Sequence, residues 1–510
     1  MSEESYKPSK DKRDSEAAAI SRASGARASG LDLDVFRLIL QSCAAADLLR
    51  VGYVSRILRE EAVQELLARP VHLARNIQIE SFCHLMLSGD PSRFRYLHTL
   101  IINHATHITP DTAGLLRQVI SGTKQLRRLH LCRCEALFTQ MDTRFADAVS
   151  QLEHLSLLQV RVGKEVFDYI RPMVLRLRST LKTLDVSYEE DDELGLKFTD
   201  EIAERQPQLH QLRICYSSLS PSSKSRWMPY PSLRVLTLSI GDQIVDLQCI
   251  SQIFPNLRKL SFTPRHALEE VDFANPSDQI VAMRNTSIAL QKDGGSWKSL
   301  EYLHGSVRDL YALGLTCPVR RVRLGQYDVK SHRAYIEIFA RTRPRTVEMT
   351  AYCAPWVKSI VLPSPRLFVY GTKANVLDAA SHLCLRVTVP VEEVITIEDL
   401  ILTISSFVAA SRLEYLRVEI AESFGIVDDS DYSYEPPTVH PKLRETMASI
   451  DIATLAYALA NSGPFLRTIV LSPASRERTV WTVDHRDRWH IGLQRLDPYT
   501  AKQVVEREEQ

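Results

Sequence analysis

The feature that most constrains this chain is a spaced apolar triplet, LxxLxL, that recurs along its first half. It occurs at Leu97, Leu100, Ile102; Leu126, Leu129, Leu131; Leu152, Leu155, Leu157; Leu181, Leu184, Val186; Leu209, Leu212, Ile214; Leu233, Leu236, Leu238; and Leu257, Leu260, Phe262. Successive starts are 29, 26, 29, 28, 24 and 24 residues apart. A recurring period of this length marks a strand-plus-helix unit that cannot cover its own apolar face and does so only by stacking on its neighbours. Weaker copies follow at Leu300 and Leu303, at Val319, Val322 and Leu324, at Leu413, Leu416 and Val418, and at Leu466, Ile469 and Leu471.

The segments between triplets read as amphipathic helices, with apolar stripes such as Leu115, Val119, Ile120; Val166, Phe167, Ile170, Val174; Ile250, Ile253, Phe254; and Ala334, Tyr335, Ile338, Phe339. Thr109 before Pro110 and Thr396 near Glu398 are helix starts, and Gly463 before Pro464 is a stop. Pro207, Pro231, Pro255 and Pro464 each stand two residues before the first leucine of a triplet, where a ring with fixed φ and no N–H ends a helix and redirects the chain.

Leu126, Leu129, Leu131, Cys134 and Leu137 resemble the LxxLxLxxCxxL unit of leucine-rich repeats, and the resemblance covers roughly Leu97 to Leu471. It implies an α/β fold, a leucine-rich-repeat solenoid in which a curved parallel sheet carries outer helices. We expect it over 71–475, irregular after about 265, where the spacing stretches to 43 residues and then shrinks to 19. Residues 1–28 and the acidic, Pro-containing stretch at 426–441 read as disordered, the run Glu189 to Glu193 as a solvated loop, and 476–510 as a C-terminal cap or tail.

Ahead of the repeats, Leu31 to Leu67 reads as two or three short helices with Asp47 as a cap. Leu31, Asp34, Val35, Phe36, Ile39, Leu40, Asp47, Leu48, Val54, Ser55 and Arg56 resemble the F-box; Asp32 stands where that family has Pro and Leu58 where it has Trp. The resemblance implies that a helical module at 29–70 docks on a Skp-type adaptor and through it on a cullin-RING ubiquitin ligase. Leu31, Asp34, Val35, Phe36, Ile39, Leu40, Leu48 and Val54 would be the adaptor contacts. An alternative reading makes the same helices only a cap on the first repeat.

Composition narrows the function. With 63 Lys and Arg against 62 Asp and Glu, no global field draws the chain to nucleic acid or anionic lipid. The longest nearly apolar stretch, Leu400 to Ala410, is too short to cross a bilayer, and Met1 to Ser29 lacks the apolar core of a secretory signal. Nine cysteines at irregular spacing fit reduced thiols in cytosol or nucleus. GxxxxGK[ST], GxGxxG, HExxH and GxSxG are absent, Cys132 and Cys134 have no second pair at zinc spacing, and His104 and His107 read as loop residues, so neither cofactor nor metal is expected.

The expected function is therefore that of a non-catalytic substrate-recognition subunit of a Skp-cullin-F-box ligase, with substrate met by strand positions Arg128, His130, His154, Ser156, Asp185, Gln211, Arg213, Lys259 and Ser261. A repeat scaffold with no ligase link is the alternative. An enzyme with its site hidden between Tyr327 and Pro441 is a third reading.

Overall fold

The computed structural model describes residues 33–103, 107–140, 143–188, 201–216, 228–240, 247–264, 278–327, 331–353, 380–390, 396–409, 411–423, 445, 448, 450–473, 476–487 and 490–509. Leu31, the stretches 1–28 and 426–441, the run Glu189 to Glu193 and His104 lie outside these residues.

Sixteen strands form one open sheet in which spatial order equals chain order. They are β1 (Val71–Leu73), β2 (Thr99–Asn103), β3 (Arg128–Cys132), β4 (Leu157–Val162), β5 (Thr183–Tyr188), β6 (Gln211–Tyr216), β7 (Val235–Ile240), β8 (Lys259–Pro264), β9 (Leu300–Gly305), β10 (Val319–Gln326), β11 (Thr346–Tyr352), β12 (His382–Pro390), β13 (Tyr415–Ser423), β14 (Thr468–Pro473), β15 (Thr479–Asp487) and β16 (His490–Arg495). Every pairing from β1 to β14 is parallel; β14, β15 and β16 pair antiparallel. Because each strand pairs only with its chain neighbours, the α/β architecture is solenoid-like.

The register is set at the N-terminal ends of the strands. There the carbonyl of one residue per rung accepts from two successive N–H groups of the next, at 2.8–3.2 Å: His98 from Arg127 and Arg128, Arg127 from Ser156 and Leu157, Ser156 from Lys182 and Thr183, and so on through Lys182, His210, Arg234 and Arg258. Arg345, Ser381 and Glu414 repeat the pattern farther on. A carbonyl has two lone pairs, so one acceptor serves both donors as the chain turns from loop into strand.

Alternate strand residues from there point to opposite faces. One face, carrying Leu100, Leu129, Leu158, Leu184, Leu212, Leu236, Leu260, Leu303, Val322, Val347, Leu383, Leu416 and Ile469, shares a single core with helix residues such as Leu116, Ile170, Ile250, Ile338, Ile404 and Leu455. The caps act where the sequence placed them. Thr109 Oγ1 accepts from Thr112 N, Thr396 forms a capping box with Asp399 rather than Glu398, and Gly463 ends the Ile452–Ser462 helix. Cys134, fully buried, directs its thiol at the carbonyls of Ile102 and Cys132, which explains its fitness at the turn after β3.

Two differences from the sequence reading have physical reasons. In the third triplet the inward residues are Leu155, Leu158 and Val160, since Leu129 pairs with Leu158; Leu157 lies on the other face. The run LSLLQV offers more than one apolar frame, and only the register with β3 selects between them. The irregular stretch contains two more rungs, β11 and β12, whose buried residues Val347, Met349, Leu383 and Leu385 follow Pro344 and Ala380 where other rungs have a leucine. Within the stretch expected as a cap or tail, residues 476–487 and 490–509 contain β15, β16 and a helix, Pro498–Glu509, packed on the sheet face opposite the other helices. There Ala501 and Val505 meet Tyr415, Val470 and Val480.

Two measurements check this description. Leu158→Ala should cost about 2–5 kcal/mol in urea unfolding and Leu157→Ala less than about 1 kcal/mol; the reverse order would favour the other frame. A hydrogen bond from His382 Nε2, 3.0 Å away, holds the Glu508 carboxyl below its ordinary 4.5, so its contribution is complete above pH 4.5 and is lost as pH falls through the lowered value. The stability gap between wild type and Glu508→Gln should shrink on acidification below that point.

Candidate interaction surfaces

Two surfaces lack a covering element among the described residues. The first belongs to three helices preceding β1: α1 (Leu33–Ser42), α2 (Ala45–Val51) and α3 (Arg56–Ala68). Leu40, Leu48 and Ala62 form their small core with Phe36, Cys43, Val51 and Leu66 around it. α3 is two-sided: Ala62 faces this core while Val63 and Leu67 join the core of the sheet, so the module is seated on the first rungs. Arg37 makes a bidentate pair with Glu61, tying α1 to α3, and Arg69 donates to the carbonyls of Leu40, Gln41 and Cys43, closing the C-terminus of α1. Buried Arg93 joins Glu60 of α3 to the carbonyl of Leu85, clamping the module to the next element.

The expected adaptor contacts divide accordingly. Val35, Ile39 and Val54 are 47%, 45% and 73% exposed, and Asp34 is exposed beside Arg37. Phe36 is half-buried. Leu40 and Leu48, at 2% and 0%, are spent inside the module, because a three-helix unit this small needs its largest inward residues to hold itself together; they are corrected here from contacts to core. Leu38, Leu49, Tyr53 and Ile57, at 65%, 58%, 83% and 68% exposure, carry the apolar surface instead and were missed. Their spacing from Val35 and Ile39 was legible, but only burial separates an outward from an inward apolar position on so short a helix.

The second surface is the open face of the sheet. Register aligns His130, Gln159, Asp185, Arg213, Thr237 and Ser261 in one row across β3–β8, and Arg128, Leu157, Thr183, Gln211, Val235 and Lys259 in a parallel row. Seven expected positions, Arg128, His130, Asp185, Gln211, Arg213, Lys259 and Ser261, therefore share one face. His154 and Ser156 do not. The frame shift in the third triplet puts both in the turn before β4, where the Ser156 hydroxyl donates to Arg127 O; Gln159 and Arg161 take their places on the face.

The centre of the face is charged and desolvated. Asp185 carboxylate oxygens lie 3.9 Å from both Arg161 and Arg213, and burial pushes its carboxyl up even against these two cations. Burial, with Arg128 and His72 nearby, pushes His130 down, leaving a neutral imidazole beside the Gln159 amide. Burial also drives the Cys83 thiol up to about 12 and Cys317 up to about 11, so both are core groups without thiolate character. The face offers hydrogen bonds and compensated charge.

No family model matches this chain, and no curated protein matches it. No described helix is long and apolar enough to cross a membrane.

A raised acid pKa lowers stability as pH climbs from the unfolded value, 3.8, through the folded one. Wild type should therefore lose stability relative to Asp185→Asn as pH rises above 3.8, read from urea midpoints across a pH series; a constant gap would contradict the burial of this carboxylate.

Proposed function

We propose that this protein is a substrate-recognition subunit of a Skp-cullin-F-box ubiquitin ligase, built as a leucine-rich-repeat solenoid behind an F-box-like module. The observation that carries the reading is the exposed apolar surface of α1–α3. Val35, Leu38, Ile39, Leu49, Tyr53, Val54 and Ile57 sit in water on a unit that is otherwise internally braced, and concentrated exposed apolar area of this kind marks a partner site. A helical face laid into a hydrophobic groove is the recognition mode it fits.

In this reading α1–α3 hold a Skp-type adaptor and through it a cullin-RING ligase, while the open sheet face holds a protein substrate. The chain supplies no nucleophile, acid or cofactor. It acts by proximity, raising the effective concentration of a substrate lysine near a ubiquitin thioester carried by another subunit. The rows on β3–β8 present mostly polar groups with few large anchors, which suits an extended polar contact. Work of this kind belongs to the cytosol or nucleus, and involves neither membrane nor nucleic acid.

Purified full-length chain should capture a purified Skp-type adaptor. Val35→Asp with Ile39→Asp should weaken capture at least about a hundredfold, since a carboxylate buried without a partner costs several kcal/mol. Both positions are exposed, so the melting temperature should stay unchanged. Failure of the wild type to bind would leave a repeat scaffold without a ligase link.

A further inference from the structure

At its far end the open face is no longer open. The last turn of the Pro498–Glu509 helix stands over β12, where His382 stacks on Tyr415 with ring centroids 5.2 Å apart and reaches Glu508. Between this turn and the face of β8–β13 lies a cavity of about 470 Å³, within the range of small-ligand sites. Its charged lining is Lys259, Arg320, Arg321, Arg323, Arg345 and Arg507 against Glu301, Glu348 and Glu508, an excess of three positive charges in a protein whose total is +1.

The three carboxylates are already engaged. Glu348 pairs with Arg321, Glu301 lies 3.0 Å from Arg258 outside the cavity, and Glu508 takes His382 and Arg507. Among the described residues, the side chains of Lys259, Arg320 and Arg345 have no acidic partner. The backbones of Arg320 and Arg345 are held side by side, because Arg345 N donates to Arg320 O at 3.0 Å, and both side chains are exposed at the cavity. Adjacent rungs are about 4.8 Å apart, so their guanidinium groups can close on one tetrahedral oxyanion from two sides. Lys259 adds a point charge from β8. Tyr302 adds a hydroxyl that burial, aided by Glu348, keeps protonated and so able to donate.

We propose that this cavity is a binding site for a phosphate-bearing anion, gripped by Arg320, Arg345 and Lys259. A carboxylate would use one guanidinium fork and leave like charges facing each other; a phosphate dianion uses two forks and offsets most of the excess, and a chain of phosphates offsets all of it. The same chemistry comes from two sources, a free polyphosphate ligand or a phosphorylated side chain of a protein. The site stands apart from adaptor capture: substitutions here leave α1–α3 untouched, and a chain that binds no adaptor still binds the anion.

Full-length protein titrated with inorganic tripolyphosphate, with a phosphoserine peptide and with the same peptide unphosphorylated tests this by calorimetry. At least one phosphorylated probe should bind. Arg320→Gln with Arg345→Gln should weaken it about tenfold or more, as expected for charge-assisted bidentate contacts, with the ligand-free melting temperature unchanged because both residues are exposed. Arg127→Gln with Lys182→Gln, at equivalent register positions outside the cavity, should shift affinity less than about twofold if the effect is local rather than diffuse. Tripolyphosphate binding alone assigns a free ligand, and phosphopeptide binding a modified protein. Binding of neither, or binding equally affected by the two double variants, overturns the proposal.

Discussion

The carbonyl relay at the N-terminal ends of the strands is the constraint on which the rest depends. A loop of any length can separate two rungs provided that the next one arrives with two N–H groups in reach of a single carbonyl. From His98 through Arg127, Ser156, Lys182, His210, Arg234 and Arg258 the relay holds while the repeat length varies, and it resumes at Arg345, Ser381 and Glu414. Once that point is fixed, strand alternation decides everything downstream: odd positions turn out, even positions turn in, and the inward rows merge with the helices into one core. Hydrogen bonding sets register and apolar burial supplies the driving force, so length variation in the loops costs little.

That division also separates the residues that hold the fold from those that face solvent. Inward rows are apolar and interchangeable in kind; outward rows carry the chemistry, and their residues can change without disturbing the core. The arrangement gives three regions different character. β3–β8 expose a polar face centred on Asp185 between Arg161 and Arg213. β8–β13 carry a basic cavity under the C-terminal helix. The leading helices are apolar outward and anchored inward through Val63, Leu67 and Arg93. The C-terminal helix closes one end of the face by burying Tyr415, Val470 and Val480, a job the antiparallel hairpin beside it makes possible by ending the parallel run.

How much of this was legible follows from what sequence signals measure. Leucine spacing reports burial, so six of the seven strong triplets fall in the observed frame and their helices were readable from stripes such as Ile250, Ile253 and Phe254. The third triplet failed because closely spaced leucines, Leu155, Leu157 and Leu158, satisfy two frames and only pairing with β3 breaks the tie. β11 and β12 escaped notice because Pro344 and Ala380 fill the first pattern position; burial there is met by small residues that carry no leucine signal. The candidate site was less legible than the fold. Outward residues follow automatically where the frame is right, as at Asp185 and Arg213, and fail where it is wrong, as at His154 and Ser156. The basic cavity was invisible, since Lys259, Arg320, Arg345 and Arg507 are brought together by three rungs and a helix that folds back from the end of the described chain. Leu40 and Leu48 show the same limit on a smaller scale: helical spacing identifies an apolar stripe, and only the neighbours decide which side of it is buried.

Hydrogen exchange read by mass spectrometry on the full-length chain tests the central claim, that one unbroken ladder of strands runs in chain order through the irregular half. If it does, peptides covering 346–352, 382–390 and 415–423 exchange as slowly as those covering 211–216 and 235–240, because all belong to one hydrogen-bonded sheet with a shared core. Exchange of 346–352 and 382–390 within seconds, while 211–216 and 235–240 stay protected, would show that the sheet stops short and that the cavity and the covering helix have no platform to stand on.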